Sequence, residues 1–292
     1  MLIGINASSI GDAGYPKYWG ENSYKKAKEF GFSCVDCSIL GSPTSVVYQL
    51  DKEERNAFLL REKELAEQAG IKIHQSHATC LSLGRALSDE EISNLLNDIK
   101  TAIESCKILD CKYLVVHPFM PNGWSDRGKA IAEDTFNKNV QYLQLLSDFA
   151  QKYDVTLCLE NMPCIDFSIS TPEEVVAVIK KVDRENVKMC FDTGHVAAFS
   201  RSLTAHEEIK KCHGLIKVLH VHDNYGGADQ HNFPGMGMIE WKKVLASLKE
   251  AGFDGVFSLE LCYPDKFSEP VFETSCRLAY SMAFEIVNGL ID

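Results

Sequence analysis

The feature that most constrains this chain is a rhythm. Short, nearly continuous apolar runs recur at residues 2–6, 34–39, 71–74, 113–116, 155–159, 187–191, 215–221 and 256–259. Between them lie amphipathic stretches of helical period, at about 21–30, 52–69, 88–109, 129–152, from 171 onward, 204–212, 240–250 and 271–287. The helix punctuation agrees with these limits. Gly31, Gly70 and Gly252 stand where helices stop, Ser88 and Glu91 have the spacing of a capping box, and Pro172 sits at a first helical position. Apolar strands separated by helices indicate a parallel sheet with helical crossovers. Eight such units in 292 residues predict an α/β fold, a single-domain (β/α)8 TIM barrel over residues 1–292. A doubly wound open sheet is the alternative, but no Gly-x-Gly-x-x-Gly turn follows the first strand.

Composition narrows the class further. The chain is 45% hydrophobic and 24% charged, and no apolar run approaches the ~20 residues of a membrane helix. The N-terminus shows no basic segment or cleavage site, so no secretory signal is visible. Eleven cysteines, an odd number scattered singly, suit buried thiols in a reducing compartment, and a cytoplasmic location is expected. Cys34 and Cys37 have redox-motif spacing but lie within a predicted strand, where core packing is the expectation. A net charge of −11 makes nucleic acid an unlikely partner. No membrane partner is expected, and nothing in the sequence excludes a homo-oligomer.

The chemistry gathers at the strand ends. His77, His117, Glu160, Asp192, His220 and Glu260 each fall within a few residues of the C-terminal end of strands three to eight, and in a barrel those ends form one face. The stretch from His220 to Trp241 adds His222, Asp223, Asp229 and His231, with Gly226, Gly227, Pro234, Gly235 and Gly237 to turn the backbone. Any one of these donors could simply cap a helix or bond a carbonyl. Six in register on six strands would repel one another without a cation. Mixed carboxylate and imidazole donors suit manganese, zinc, cobalt or iron, and fit calcium poorly.

Glu160-Asn161, Phe191-Asp192-Thr193-Gly194-His195, His220-Val221-His222-Asp223-Asn224, Asp229-x-His231 with Pro234-Gly235-Met236-Gly237, and Ser258-Leu259-Glu260 are the motifs that place this chain. Together they resemble those of the xylose isomerase-like TIM barrels, over nearly the whole length. That superfamily holds sugar and sugar-phosphate isomerases and epimerases, and also the endonuclease IV type of AP endonuclease. In the epimerase branch the resemblance implies one divalent metal (Mn, Zn or Co) on Glu160, Asp192, His220 and Glu260. In the endonuclease branch it implies up to three ions, with His77, His117, His195, Asp229 and His231 as further ligands.

The expectation is a metal-dependent isomerase or epimerase of a small sugar or sugar phosphate, working by proton transfer through a metal-stabilised enediolate. Glu160 and Glu260 would be its acid–base pair, His195 and His222 would orient hydroxyls, and Trp19, Trp124 or Phe119 would stack on the sugar. Arg127 or the Pro234–Gly237 loop would hold a phosphate. The alternative is a multi-zinc phosphodiesterase. Arg85, Arg127, Arg201 and Lys266 are too isolated for a DNA-binding mouth. A degenerate, non-catalytic sugar-binding protein is the third reading, and the full donor set speaks against it.

Overall fold

The computed structural model describes residues 1–6, 20–81, 83–198, 202–263 and 266–290. Eight strands run along it: β1 (Leu2–Asn6), β2 (Cys34–Cys37), β3 (Lys72–His77), β4 (Tyr113–Val116), β5 (Thr156–Glu160), β6 (Val187–Asp192), β7 (Ile216–His220) and β8 (Val256–Leu259). Neighbours pair in parallel in the order β7-β6-β5-β4-β3-β2-β1-β8. The remaining seam closes where Val221 bridges Leu259. There the Val221 N–H donates to the Ser258 carbonyl at 2.8 Å and the Glu260 N–H to that of Val221 at 3.0 Å. The result is a nearly closed (β/α)8 barrel in a single domain.

Among the described residues the outer layer contains α1 (Ser23–Phe30), α2 (Lys52–Ala69), α3 (Asp89–Ile108), α4 (Ala132–Ala150), α5 (Pro172–Val182), α6 (Thr193–Ala198), α7 (Ala205–Lys211), α8 (Trp241–Glu250) and α9 (Glu269–Val287). The signals that stop and start them behave as the sequence implies. Ser88 Oγ accepts from the Glu91 N–H at 3.2 Å while the Glu91 carboxylate accepts from the Ser88 N–H at 2.8 Å. Thr171 and Glu174 close a second such box around Pro172. Gly31 and Gly70 end α1 and α2 in the left-handed conformation, which costs glycine nothing. No helix among the described residues is long and apolar enough to cross a membrane.

Several limits differ from expectation: the third strand, expected over residues 71–74, runs on to His77. The second strand ends at Cys37 and turns into a 3₁₀ segment, Ser38–Leu40. The helix expected over about 129–152 begins at Ala132, three residues later. A short helix, α6, forms directly after Asp192, where no helix is expected, so nine α-helices stand among the described residues rather than eight.

The main core lies between the sheet and the helices, and takes in Leu157, Leu159, Phe191, Leu219, Trp241 and Phe257, all buried. A separate cluster of Val115, Cys158, Cys190 and Val218 sits on the other face of the same strands. Side chains alternate along a strand with period two. His117, Glu160, Asp192 and His220 each follow one member of that cluster by two residues, so they continue the same inner face toward the barrel mouth. In β3 the register shifts, with Val35 opposite Ile73 and Asp36 opposite Gln75, leaving His74 as an extra residue. That bulge brings Gln75 beside Asp36, and Gln75 Nε2 donates to Asp36 Oδ2 at 2.9 Å.

Candidate metal centre

Glu160, at the end of β5, is buried and central. Its Oε1 lies 2.8 Å from His220 Nδ1, and its Oε2 lies 3.2 Å from His117 Nε2 and 3.3 Å from His77 Nε2. His77 Nε2 and His117 Nε2 are themselves 3.0 Å apart. Donor atoms bound to zinc at about 2.0–2.1 Å in a tetrahedron stand roughly 3.3–3.4 Å from one another, so this triangle has the spacing of a ligand set. Two imidazole nitrogens facing each other across a carboxylate would otherwise have to share protons.

Three donor groups result, each with its ligand atoms within 4.8 Å of one another. The first is His77, His117 and Glu160; the second is Glu160, Asp192, His220 and Glu260; the third is His195, His222, Asp229 and His231. A further grouping places the Cys190 thiol with Glu160 and His220. Thus the structure gathers His77, His117, Glu160, Asp192, His195, His220, Asp229, His231 and Glu260 into one barrel mouth, as the strand-end positions imply.

The groups that orient these rings support the same assignment. A histidine that binds a metal through one nitrogen normally donates its other N–H to a carbonyl or carboxylate. His77 Nδ1 donates to the Ala78 carbonyl at 2.6 Å, His195 Nδ1 to that of Asn161 at 2.7 Å, and His231 Nδ1 to that of Glu260 at 3.0 Å. Each is thereby set to present Nε2. His195 Nε2 then lies 3.4 Å, and His231 Nε2 3.1 Å, from Asp229 Oδ2. His231 reaches this position from a left-handed backbone, φ 48°, a conformation that costs a side chain about 1–2 kcal/mol. His222 stacks on His231 with ring centroids 3.9 Å apart, and its Nε2 lies 3.1 Å from Asp192 Oδ1. The His222 ring occupies the space over Gly194, where an added Cβ would stand 2.0 Å from His222 Cε1. No larger residue fits there without moving the ring.

Charge balance shows how the cluster is held together. Burial opposes ionisation of Glu160, yet His220, His117 and His77 hold its carboxyl well below the usual range. Burial likewise opposes charge on Asp192, and His195 and His222 override it. Burial disfavours protonated His117, but Cys80 and Glu160 push it up to about 10. The same opposition, resolved by carboxylates, raises His195 to about 9 and His231 to about 10. Protonated histidines balance the buried carboxylates, and binding of a divalent ion to these groups would require release of those protons.

Not every candidate faces this cluster. Asp223 Oδ2 accepts from the Gly235 N–H at 3.0 Å and from Trp241 Nε1 at 3.0 Å, and its Oδ1 accepts from the Asn224 N–H at 2.9 Å and the Ile239 N–H at 3.2 Å. It is the clasp of the β7–α8 loop rather than a ligand, and it occupies the Gly235 N–H that a phosphate would need. Arg127 forms a bidentate pair with Glu174, at 2.6 and 2.8 Å, which braces the loop after β4 against the start of α5. Phe119 is buried edge-to-face against Tyr142, 5.4 Å between centroids, so it packs instead of presenting a sugar-stacking face. Trp124 is exposed on the loop after β4. Trp19 and Arg201 lie outside the described residues. Cys34 and Cys37 are buried, as expected of core thiols.

One residue escaped the sequence reading. Asp36, buried in β2 between those two cysteines, has its Oδ2 2.9 Å from His220 Nε2. The available signal was a lone carboxylate in the middle of an otherwise apolar strand, since buried charges require partners.

Comparison with known proteins gives the same picture. A model of the xylose isomerase-like TIM barrel family matches residues 24–282. The inosose isomerase of Bacillus licheniformis is 29% identical over 201 residues, which is 66% of this chain and 69% of that protein. The probable endonuclease 4 of Metamycoplasma arthritidis is 24% identical over 248 residues, 80% of this chain and 84% of that protein. A crystal structure of a D-tagatose 3-epimerase-like protein superposes with a TM-score of 0.75 at 25% identity, covering 100% of both chains. The matches to the first curated relatives span 62% to 69% of those proteins' own lengths. From its strand-end donors to the match along its length, the chain belongs to the xylose isomerase-like TIM barrel family.

Proposed function

We propose that this protein is a divalent-metal-dependent isomerase or epimerase of a small sugar or sugar phosphate. The observation that carries the reading is the second donor group, Glu160, Asp192, His220 and Glu260, at the barrel mouth. Relatives named as an inosose isomerase and a D-tagatose 3-epimerase-like protein support the reaction class. In this reading the four residues hold one ion of zinc, manganese or cobalt. When bound, it supplies a positive charge that favours negative charge on two adjacent substrate oxygens.

The proton work falls to the carboxylates. Glu160 is buried and Glu260 is one-fifth exposed, so the two meet a substrate from environments of different polarity. For an epimerisation, one carboxylate takes up the C–H proton and keeps it while the other, protonated beforehand, delivers its own proton to the opposite face, a contribution of about 10²- to 10⁴-fold for each positioned group. His195 and His222 orient hydroxyls, and Trp124 offers an exposed face for a sugar ring. Arg127 serves as a loop brace in this account.

A specific observation favours a second reading. The groups around His77 and His195 complete three donor sets in one mouth, which a one-ion epimerase does not require and a three-zinc phosphodiesterase does. The probable endonuclease 4 relative points the same way. The acidic balance of the chain argues against DNA as its substrate, but not against a small phosphodiester.

NMR in deuterated water separates the two, using a panel of ketoses, ketose phosphates and a generic phosphodiester. The proposal expects exchange of a carbon-bound substrate proton and no diester cleavage. Cleavage of the diester without any exchange would replace it with the hydrolase.

A further inference from the structure

The four histidines whose orienting partners are defined do not share one kind of partner. His77, His195 and His231 each donate Nδ1–H to a backbone carbonyl. His220 instead meets a carboxylate: its Nε2 lies 2.9 Å from Asp36 Oδ2, which leaves Nδ1 toward Glu160 at 2.8 Å and Glu260 at 3.3 Å. Asp36 is fully buried and lies outside the donor groups. The same Oδ2 accepts from Gln75 Nε2, which also reaches the Leu219 carbonyl at 3.2 Å, one residue before His220.

We propose that Asp36, fixed by Gln75, is a positioning residue that commits His220 to bind metal through Nδ1, giving the central donor group its hold on the first ion. This inference rests on the metal-dependent reading above. The physical argument has two parts. Accepting the Nε2–H fixes the ring plane and leaves Nδ1 alone to face the three carboxylates of the central group. A carboxylate acceptor also makes the imidazole a stronger electron donor than a carbonyl does, and loss of such an outer partner typically weakens metal binding about 10- to 100-fold. Placing Asp36 in an apolar strand costs desolvation, which the His220 and Gln75 contacts offset only while all three remain together.

The test uses the full chain with zinc as the probe. Asp36→Leu should lower the affinity for the first zinc equivalent by about 10- to 100-fold, measured by competition with a chromophoric chelator. Asp36→Asn, which keeps an oxygen acceptor but not its charge, should fall between Leu and wild type. A ¹H–¹⁵N spectrum of the zinc-loaded wild type should show His220 protonated at Nε2 and bare at Nδ1. Both variants should stay folded by circular dichroism after chelation. A residue that mattered only for packing would lower the melting temperature of the chelated protein and leave the zinc affinity of the folded fraction unchanged.

Wild-type affinity in Asp36→Leu, or a proton on Nδ1 of zinc-loaded His220, overturns the proposal while leaving metal dependence intact. A wild-type chain that takes up no divalent ion overturns both.

Discussion

Two layers of the same barrel differ only by two residues along each strand. Val115, Cys158, Cys190 and Val218 are an apolar plug, buried against one another. His117, Glu160, Asp192 and His220, next on the same inner face, are nearly all charge and lone pair, and three of them are just as buried. The lower layer is stabilised by removing apolar surface from water, so each side chain contributes on its own. The upper layer has no such source of stability. Its charges are tolerable only together, with protons or a cation balancing them. Damage to the lower layer should therefore appear in folding, and damage to the upper layer in metal and chemistry.

The largest effect expected on this contrast is chemical. Glu260→Gln should lower turnover by about 10²- to 10⁴-fold and abolish substrate C–H exchange in deuterated water, with the loss in kcat rather than KM. Its thermal midpoint should stay near that of wild type. A large drop in melting temperature together with retained exchange would reverse the assignment of layers.

Next comes the packing. Leu219→Ala, buried between sheet and helices next to His220, should cost about 2–5 kcal/mol in chemical denaturation, while the protein that remains folded keeps its metal. Gly194→Ala probes the upper layer from its rim, in α6. Its methyl would displace the His222 ring, costing about 1–3 kcal/mol and loosening the His195, His222, Asp229 and His231 group before the central one. Equal loss of all bound metal would show that the groups are not separable.

The smallest effect is a slope with pH. In the chelated chain His117, His195 and His231 are held at about 10, 9 and 10 against an ordinary value near 6.5. Folded pKa values above unfolded ones mean that their charge stabilises the fold fully below about pH 6.5, and that this contribution is lost as pH rises toward 10. The melting temperature of chelated protein should therefore fall across that window. With zinc added the slope should reverse there, because ligands must lose their protons to bind. Identical slopes with and without zinc would contradict a shared site.

Much of this was readable from residue order. The eight apolar runs implied the barrel, and donors at six strand ends implied one mouth, because both follow from parallel pairing of buried strands with helical crossovers. Asp36 was not readable, since its importance comes from a bulge in β3 that sets Gln75 beside it and from the barrel that brings His220 of β7 across to it, and no local pattern announces either. Asp223 misled for the opposite reason. It sits beside His222 in a run of donors, but the turn after it folds back so that Gly235, Ile239 and Trp241 all bond its carboxylate. Helix α6 was hidden by a Thr-Gly-His sequence whose glycine is there to admit the His222 ring.

The central claim is that the upper layer is a metal site carried by a fold that does not need it. Metal analysis of the purified chain, alongside Asp192→Asn and His220→Ala, tests this most directly. The account predicts at least one tightly bound divalent ion per wild-type chain, its loss in both variants, and circular dichroism close to wild type in all three. A wild-type chain that retains no ion and takes up none, or variants that unfold when the ion leaves, would contradict it.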